Sequence, residues 1–177
     1  MELVFNLKIY LMNQAHLHMV FNHFPIIGLF FGTAILLYGI IKKQTILINT
    51  AYVMFIFCMV MAKATMMTGE GAEEIVEELG ISHDIIHEHE ELAETFMKVL
   101  YGLGILSILG LVANVKKHTK ASIVSYVVLI LAIGSAVLSK SVGTSGGEIR
   151  HTEIRENTNI NSTSEVSNDQ ESLNDDY

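Results

Sequence analysis

Four long apolar stretches divide this chain, at roughly Val20 to Ile41, Gln44 to Met67, Thr95 to Val115 and Ala121 to Val142. Each is at or near the ~20 residues that an α-helix needs to cross a ~30 Å hydrocarbon core. The pattern predicts an all-α integral membrane protein, a four-helix bundle with short connections.

Polar and breaker residues place the ends of these helices. The first is expected from near Asn13 to Lys42, with Pro25 removing one backbone hydrogen bond and bending it. Gly28 and Gly32 form a GxxxG step of the kind that lets two helices approach closely. The second is expected from about Thr45 to the TGEG segment at 68–71. AEEIVEELG then sets Ile75, Val76 and Leu79 at helical spacing among glutamates, which predicts a short amphipathic helix. Gly80 is a natural stop and Ser82 a natural N-cap for a helix that runs from about His83 into the third crossing. The fourth helix is expected to end at the glycines near Gly143.

Three segments follow from this reading: an N-terminal extension at 1–12, a transmembrane domain at 13–142 and a flexible acidic tail at 143–177. From Asn157 onward the chain is mostly Asn, Ser, Thr, Asp and Glu, too polar to bury a core. Met1 to Tyr10 lacks the basic flank and cleavage site of a signal peptide. Asn13 would make a good N-cap after Met12, so a start at Met12 is an alternative.

Composition adds orientation. The formal net charge is −8 and half of the residues are hydrophobic. Lys42, Lys43, Lys116, Lys117 and Lys120 lie in the loops after the first and third crossings. The segment from Gly69 to Glu94 carries ten acidic residues and no lysine or arginine. Lysine bias then puts those loops in the cytoplasm of a bacterial inner membrane, with both termini and the acidic loop outside. Nothing in the sequence suggests nucleic-acid binding. The single Cys58 excludes an intramolecular disulfide and reads as a packing residue.

The chemistry gathers at the outer side. His16, His18, His23, His83, His87, His89 and His151 belong there, and only His118 belongs to the other side. Ionisable groups at membrane depth are costly, which makes their clustering a functional signal. At ~100° per residue, His89 shares a face with Ile85, Ile86, Leu92, Ala93, Phe96 and Leu100 and points into the bundle. His83 and His87 lie on the opposite, polar face. His16 and His23 share one face of the first helix, and His18 is about 140° from His23. His23 is nearest the membrane and is the expected partner of His89. Two histidines from two helices can grip a b-type haem. Lys63, Lys98 and Lys140 near the outer helix ends are candidates to hold haem propionates or a lipid phosphate, against simple snorkelling. A satisfied packing histidine is the alternative for His89.

LHMVFNHFPI at 17–26 resembles the LHPxLVHFPI signature that opens the family called domain of unknown function 2231, small bacterial four-helix membrane proteins. His18, His23, Phe24 and Pro25 match it, with Met19 in place of proline. Thr68 and Gly69 look like the family's TG step, His89 like its histidine before the third helix, and GGEIRH at 146–151 like its ending. The resemblance implies roles for Gly146, Gly147 and His151. Relatives joined to cytochrome c-like domains imply electron transfer.

These observations lead to an expected membrane redox protein holding haem b. His23 and His89 would be axial ligands, with His18 and His151 as alternatives. The partners expected are the lipid bilayer, a c-type cytochrome and a second copy of the chain. A second expectation is a divalent-metal binder or transporter, using His83, His87, Glu90 and Glu91, or His18, His23 and His89, because imidazole with carboxylate suits zinc-like ions. The third is a structural subunit of a membrane complex without a cofactor. The chain carries no nucleophile–base pair, phosphate loop or zincin motif, so no hydrolase is expected.

Overall fold

A computed structural model describes residues 14–151. Both the extension at 1–12, with the alternative start at Met12, and the tail from residue 152 lie outside the described residues. The order of elements is α1 (residues 14–21), α2 (His23–Ile41), α3 (Thr45–Met67), α4 (Gly69–Glu78), α5 (His83–Val115) and α6 (Ala121–Arg150). Among the described residues, four helices are long and apolar enough to span a membrane: Gln14–Ile41, Thr45–Met67, His83–Val115 and Ala121–Arg150. They form a four-helix bundle. The α2 helix packs on α3, α3 on α5 and α5 on α6, and α6 closes back on α2.

Side-chain size and polarity are arranged for lipid rather than water. The buried face of α6 is Ser125, Val128, Ala132, Ser135, Ser139 and Ser145. Its exposed face carries Ile123, Ile130, Ile133 and Val137, with Ile130 71% exposed. Small residues inside let helices approach, and large apolar ones outside meet a solvent as apolar as themselves. The same inversion holds for α2, where Phe30 and Phe31 face out and Gly32 faces in. This is a multi-pass membrane protein.

The core runs through Leu29, Leu36, Tyr52, Phe55, Leu100, Leu103 and Val128. The expected GxxxG step is spent inside the chain. A Cβ on Gly28 would stand 2.6 Å from the Cys58 sulfur, and one on Gly32 2.6 Å from the Phe55 ring. At the end of the bundle that carries the lysine loops, the Tyr52 hydroxyl donates to Ser125 Oγ at 2.9 Å, and Asn114 Nδ2 donates to Asn49 Oδ1 at 2.7 Å.

Three of the connections share one turn geometry. Gly80 has φ +82°, its N–H bonds the Glu77 carbonyl, and the Ile81 N–H bonds that of Val76. That pair of bonds is a Schellman stop. Lys43 and Lys117 close α2 and α5 the same way, at φ 53° and 51°. Ser82 occupies the expected N-cap in an extended conformation but makes no side-chain capping bond.

Two expectations about helix limits meet the structure differently. Pro25 cannot donate to the Phe21 carbonyl, and the ladder is broken by a turn at Asn22, between α1 and α2. The fourth helix does not stop near Gly143; it continues through GTSGGEIR to Arg150. Packing explains the extension. Ser145 is buried and Gly146 lies flat against His89, so tertiary contact overrides the poor helix propensity of these residues. At ~1.5 Å per residue, the 33 residues of α5 and the 30 of α6 reach about 50 and 45 Å, well past a ~30 Å core. Their extra turns build the site.

Candidate functional site

The histidine-bearing end of the bundle contains a polar layer assembled from four helices. The inward stripe of α1 and α2 can be counted from its buried members: Pro25, Leu29, Gly32, Leu36 and Gly39. Continued backward at the same spacing it meets Asn22, His18 and Gln14. The α5 stripe through Phe96, Leu100, Leu103 and Gly110 likewise continues back to His89. The sequence that makes these helices amphipathic therefore aims His18 and His89 at the bundle axis. His18 lies beside Thr65 and Gly69, and His89 beside Ser145 and Gly146, at the same end of the bundle.

Each ring is held at one nitrogen. His18 Nδ1 lies 3.0 Å from the Thr65 carbonyl oxygen, which can only accept, so Nδ1 carries the proton. His89 Nδ1 lies 2.9 Å from Ser145 Oγ. That hydroxyl also lies 3.1 Å from the Val142 carbonyl, and with its proton on that carbonyl it accepts from the ring. The Thr65 carbonyl sets His18 as the Nδ1–H tautomer, with its Nε2 lone pair left to act, and a Ser145 proton kept on Val142 does the same for His89. Gly146 lets α6 approach the His89 ring, where a Cβ would stand 3.0 Å from Cε1. Gly69 plays the same part more loosely beside His18, at 3.9 Å. The opening of α4 also crosses α1, with Gly71 against Gln14.

The expected pairing of His23 with His89 is not the one that the fold brings together. His23 is exposed, and its Nδ1 donates to the Met19 carbonyl of its own helix at 2.7 Å. The reason is angular. His23 stands two positions from Pro25, about 160° round the helix from the inward stripe, whereas His18 stands seven positions from it, within about 20°. His16 is also exposed, and His151 is exposed at the C-cap of α6.

The three lysines do not converge on the layer. Lys98 points outward and donates to Glu94 at 2.9 Å, one turn earlier on α5. Lys63 borders a lateral groove with Met59, Val60 and Tyr101, and Lys140 is exposed on α6.

A second cluster lies on the surface, where α4 meets the start of α5. Ligand atoms of Glu73, Glu77 and His83 lie within 4.8 Å of one another, with His83 Nδ1 3.1 Å from Glu77 Oε1. His87 stacks on His83 with ring centroids 6.1 Å apart and reaches toward Glu90 at 3.9 Å and Glu91 at 3.6 Å. The expected surface set of His83, His87 and Glu90 is thus redistributed: His83 joins α4, and Glu90 faces Glu73. Partial burial, then hydrogen bonding to Glu90 and the charges of Glu90 and Glu77, push the Glu73 carboxyl above its ordinary value; His83 opposes them.

Thr65, Ser145 and Asn22 were not singled out by the sequence. Ser145 and Asn22 had a signal, since both fall on inward stripes of their helices. Comparison with protein-family models, with curated proteins and with solved structures gave no match.

Proposed function

We propose that the protein is a metal-binding membrane protein whose polar layer coordinates a divalent transition-metal ion through Nε2 of His18 and His89. One observation carries this reading. Two histidines from different helices lie on inward faces at the same end of the bundle, and each has its Nδ1 within hydrogen-bond distance of a protein oxygen. This is the arrangement that orients an imidazole toward a metal and raises its basicity. Neutral imidazole suits zinc, copper, iron and nickel. The lysine loops favour an orientation with this layer on the outer side of a bacterial cytoplasmic membrane. The ion would then be captured from outside the cell, with the Glu73–Glu77–His83 cluster at the rim. The resemblance to the domain of unknown function 2231 family includes His18 and His89 among its matched positions, alongside His23 and His151.

The layer suits an ion better than the haem expected from the histidines alone. Thr65, Thr68, Gly69, Ser145 and Gly146 border the rings, small residues at short range. A porphyrin needs broad apolar walls and space beside its ligands.

The test is elemental analysis and a dithionite-reduced minus oxidised absorption spectrum on the same purified protein, expressed with haem and trace metals supplied. One ion per chain without a Soret band supports the proposal. A Soret shift with an α-band restores the haem reading and c-type cytochrome partnership. Neither metal nor haem leaves the histidines as packing groups of a structural subunit.

A further inference from the structure

We propose that the lateral groove between α3 and α5 seats an acyl chain of an anionic phospholipid, whose phosphate is held by Lys63. The inference does not rest on the metal reading above. Met59, Val60, Lys63 and Tyr101 line the groove, which offers about 500 Å³ and is open to the side. Its α3 wall is one helical face, since Lys63 lies about 40° from Met59 and about 60° from Val60. Met59 seats against Gly104 of α5, where a Cβ would stand 2.6 Å from its sulfur.

Height orders these residues as a lipid is ordered. Counted at ~1.5 Å per residue from the lysine-loop ends of α3 and α5, Met59, Val60 and Tyr101 stand about 21–23 Å along their helices, and Lys63 about 27 Å. In a ~30 Å hydrocarbon core the first three lie among the acyl chains of the histidine-side leaflet, and Lys63 lies where the headgroups begin. The Lys63 ammonium also lacks a carboxylate. Lys98 ends on Glu94 at 2.9 Å, whereas Lys63 makes no ion pair among the described residues. A lone lysine can snorkel to water. Here, however, the cation stands directly above a mostly apolar groove, and a phosphate with its chain attached fits both. A net-negative headgroup is favoured over a zwitterionic one, whose own ammonium competes with Lys63.

The chain has no tryptophan, so a single one can serve as a reporter. Ile105→Trp places it one turn from Tyr101 toward the membrane centre, at a position 55% exposed. Phe31→Trp, on the 62% exposed Phe31 of α2, reports on another lipid-facing surface at a similar height. The full chain carrying either reporter is reconstituted in phosphatidylcholine vesicles with rising fractions of dibrominated phosphatidylglycerol, and quenching gives the relative affinity. At Ile105→Trp the expected preference for phosphatidylglycerol is about fivefold, the equivalent of ~1 kcal/mol for one lysine near the surface. Phe31→Trp reports none. Lys63→Gln abolishes the preference, and so does Val60→Phe, which fills the groove and keeps the charge. Lys140→Gln, about 28 Å along α6, leaves it intact, as does inorganic phosphate in the buffer. Equal affinity for the two lipids at Ile105→Trp overturns the inference. A preference that survives Lys63→Gln or Val60→Phe, falls equally in Lys140→Gln or appears equally at Phe31→Trp assigns it to general surface charge, and also overturns the site. Loss of the preference on adding inorganic phosphate assigns Lys63 to a free anion and overturns the lipid.

Discussion

Gly146→Ala separates the stability of the bundle from the working of the site. The added Cβ would stand 3.0 Å from His89 Cε1 and 3.5 Å from Nδ1, tighter than ordinary contact. The backbone of α6 is held by its helix, so the ring must move by a few tenths of an ångström, away from Ser145. Losing that hydrogen bond costs about 0.5–1.5 kcal/mol. Replacing glycine by alanine within a helix returns about 0.8–1.0 kcal/mol. The two nearly cancel, so the unfolding free energy should stay within ~1 kcal/mol of wild type. Metal affinity should not cancel. Misplacing a ring whose supporting bond orients it lowers affinity by about 10–100-fold. Gly143→Ala is the control, because its Cβ meets nothing within 4 Å; it should keep full affinity. The assay is competition of purified protein with a chromophoric zinc chelator, paired with thermal unfolding in the same detergent. Unchanged affinity in Gly146→Ala would refute the argument, as would an equal loss in the Gly143→Ala control.

Two further predictions test other parts of the structure. Gly110→Ala would put a Cβ 2.6 Å from Tyr52 Cζ and 2.8 Å from its hydroxyl. Tyr52 is wholly buried and bonded to Ser125, so the variant should lose about 1–3 kcal/mol by overpacking, and an unshifted unfolding midpoint would contradict this. At the α4–α5 contact, Glu73 holds its proton more tightly when folded than when unfolded, because of burial and its Glu90 and Glu77 neighbours. Stability contributed there is therefore greatest at low pH and falls as pH rises through the window that opens at the ordinary value of 4.5. Glu73→Gln should flatten that decline, read as a smaller rise with pH in the rate of proteolytic cleavage within α4, whereas an identical pH dependence in both proteins would remove Glu73 as its cause.

The fold was legible because apolar run length is a coarse and robust signal. Run length located the four crossings, and Gly80 marked the stop of α4 as written. The end of α6 was not legible, since Gly143, Gly146 and Gly147 read locally as a break, and only the His89 ring packed against them gives the helix a reason to continue. The site was half legible. His89 could be oriented because apolar residues follow it on every turn. His18 and His23 could be told apart by angle, but depth in the membrane favoured His23. The inward stripe decides between them, and it becomes plain only when Pro25, Leu29, Gly32 and Leu36 are seen buried. Thr65 carried no distinctive pattern, and Ser145 showed only its inward position, since a serine that holds a histidine looks in sequence like any small residue at a helix interface.

The most direct test of the central claim is a double-mutant cycle in zinc affinity across His18→Ala, His89→Ala and the pair, with His23→Ala alongside. If both rings grip one ion, each single variant loses nearly as much affinity as the double, and His23→Ala binds like wild type. Losses that simply add, or a His23→Ala variant as weak as His89→Ala, would contradict a shared site between His18 and His89.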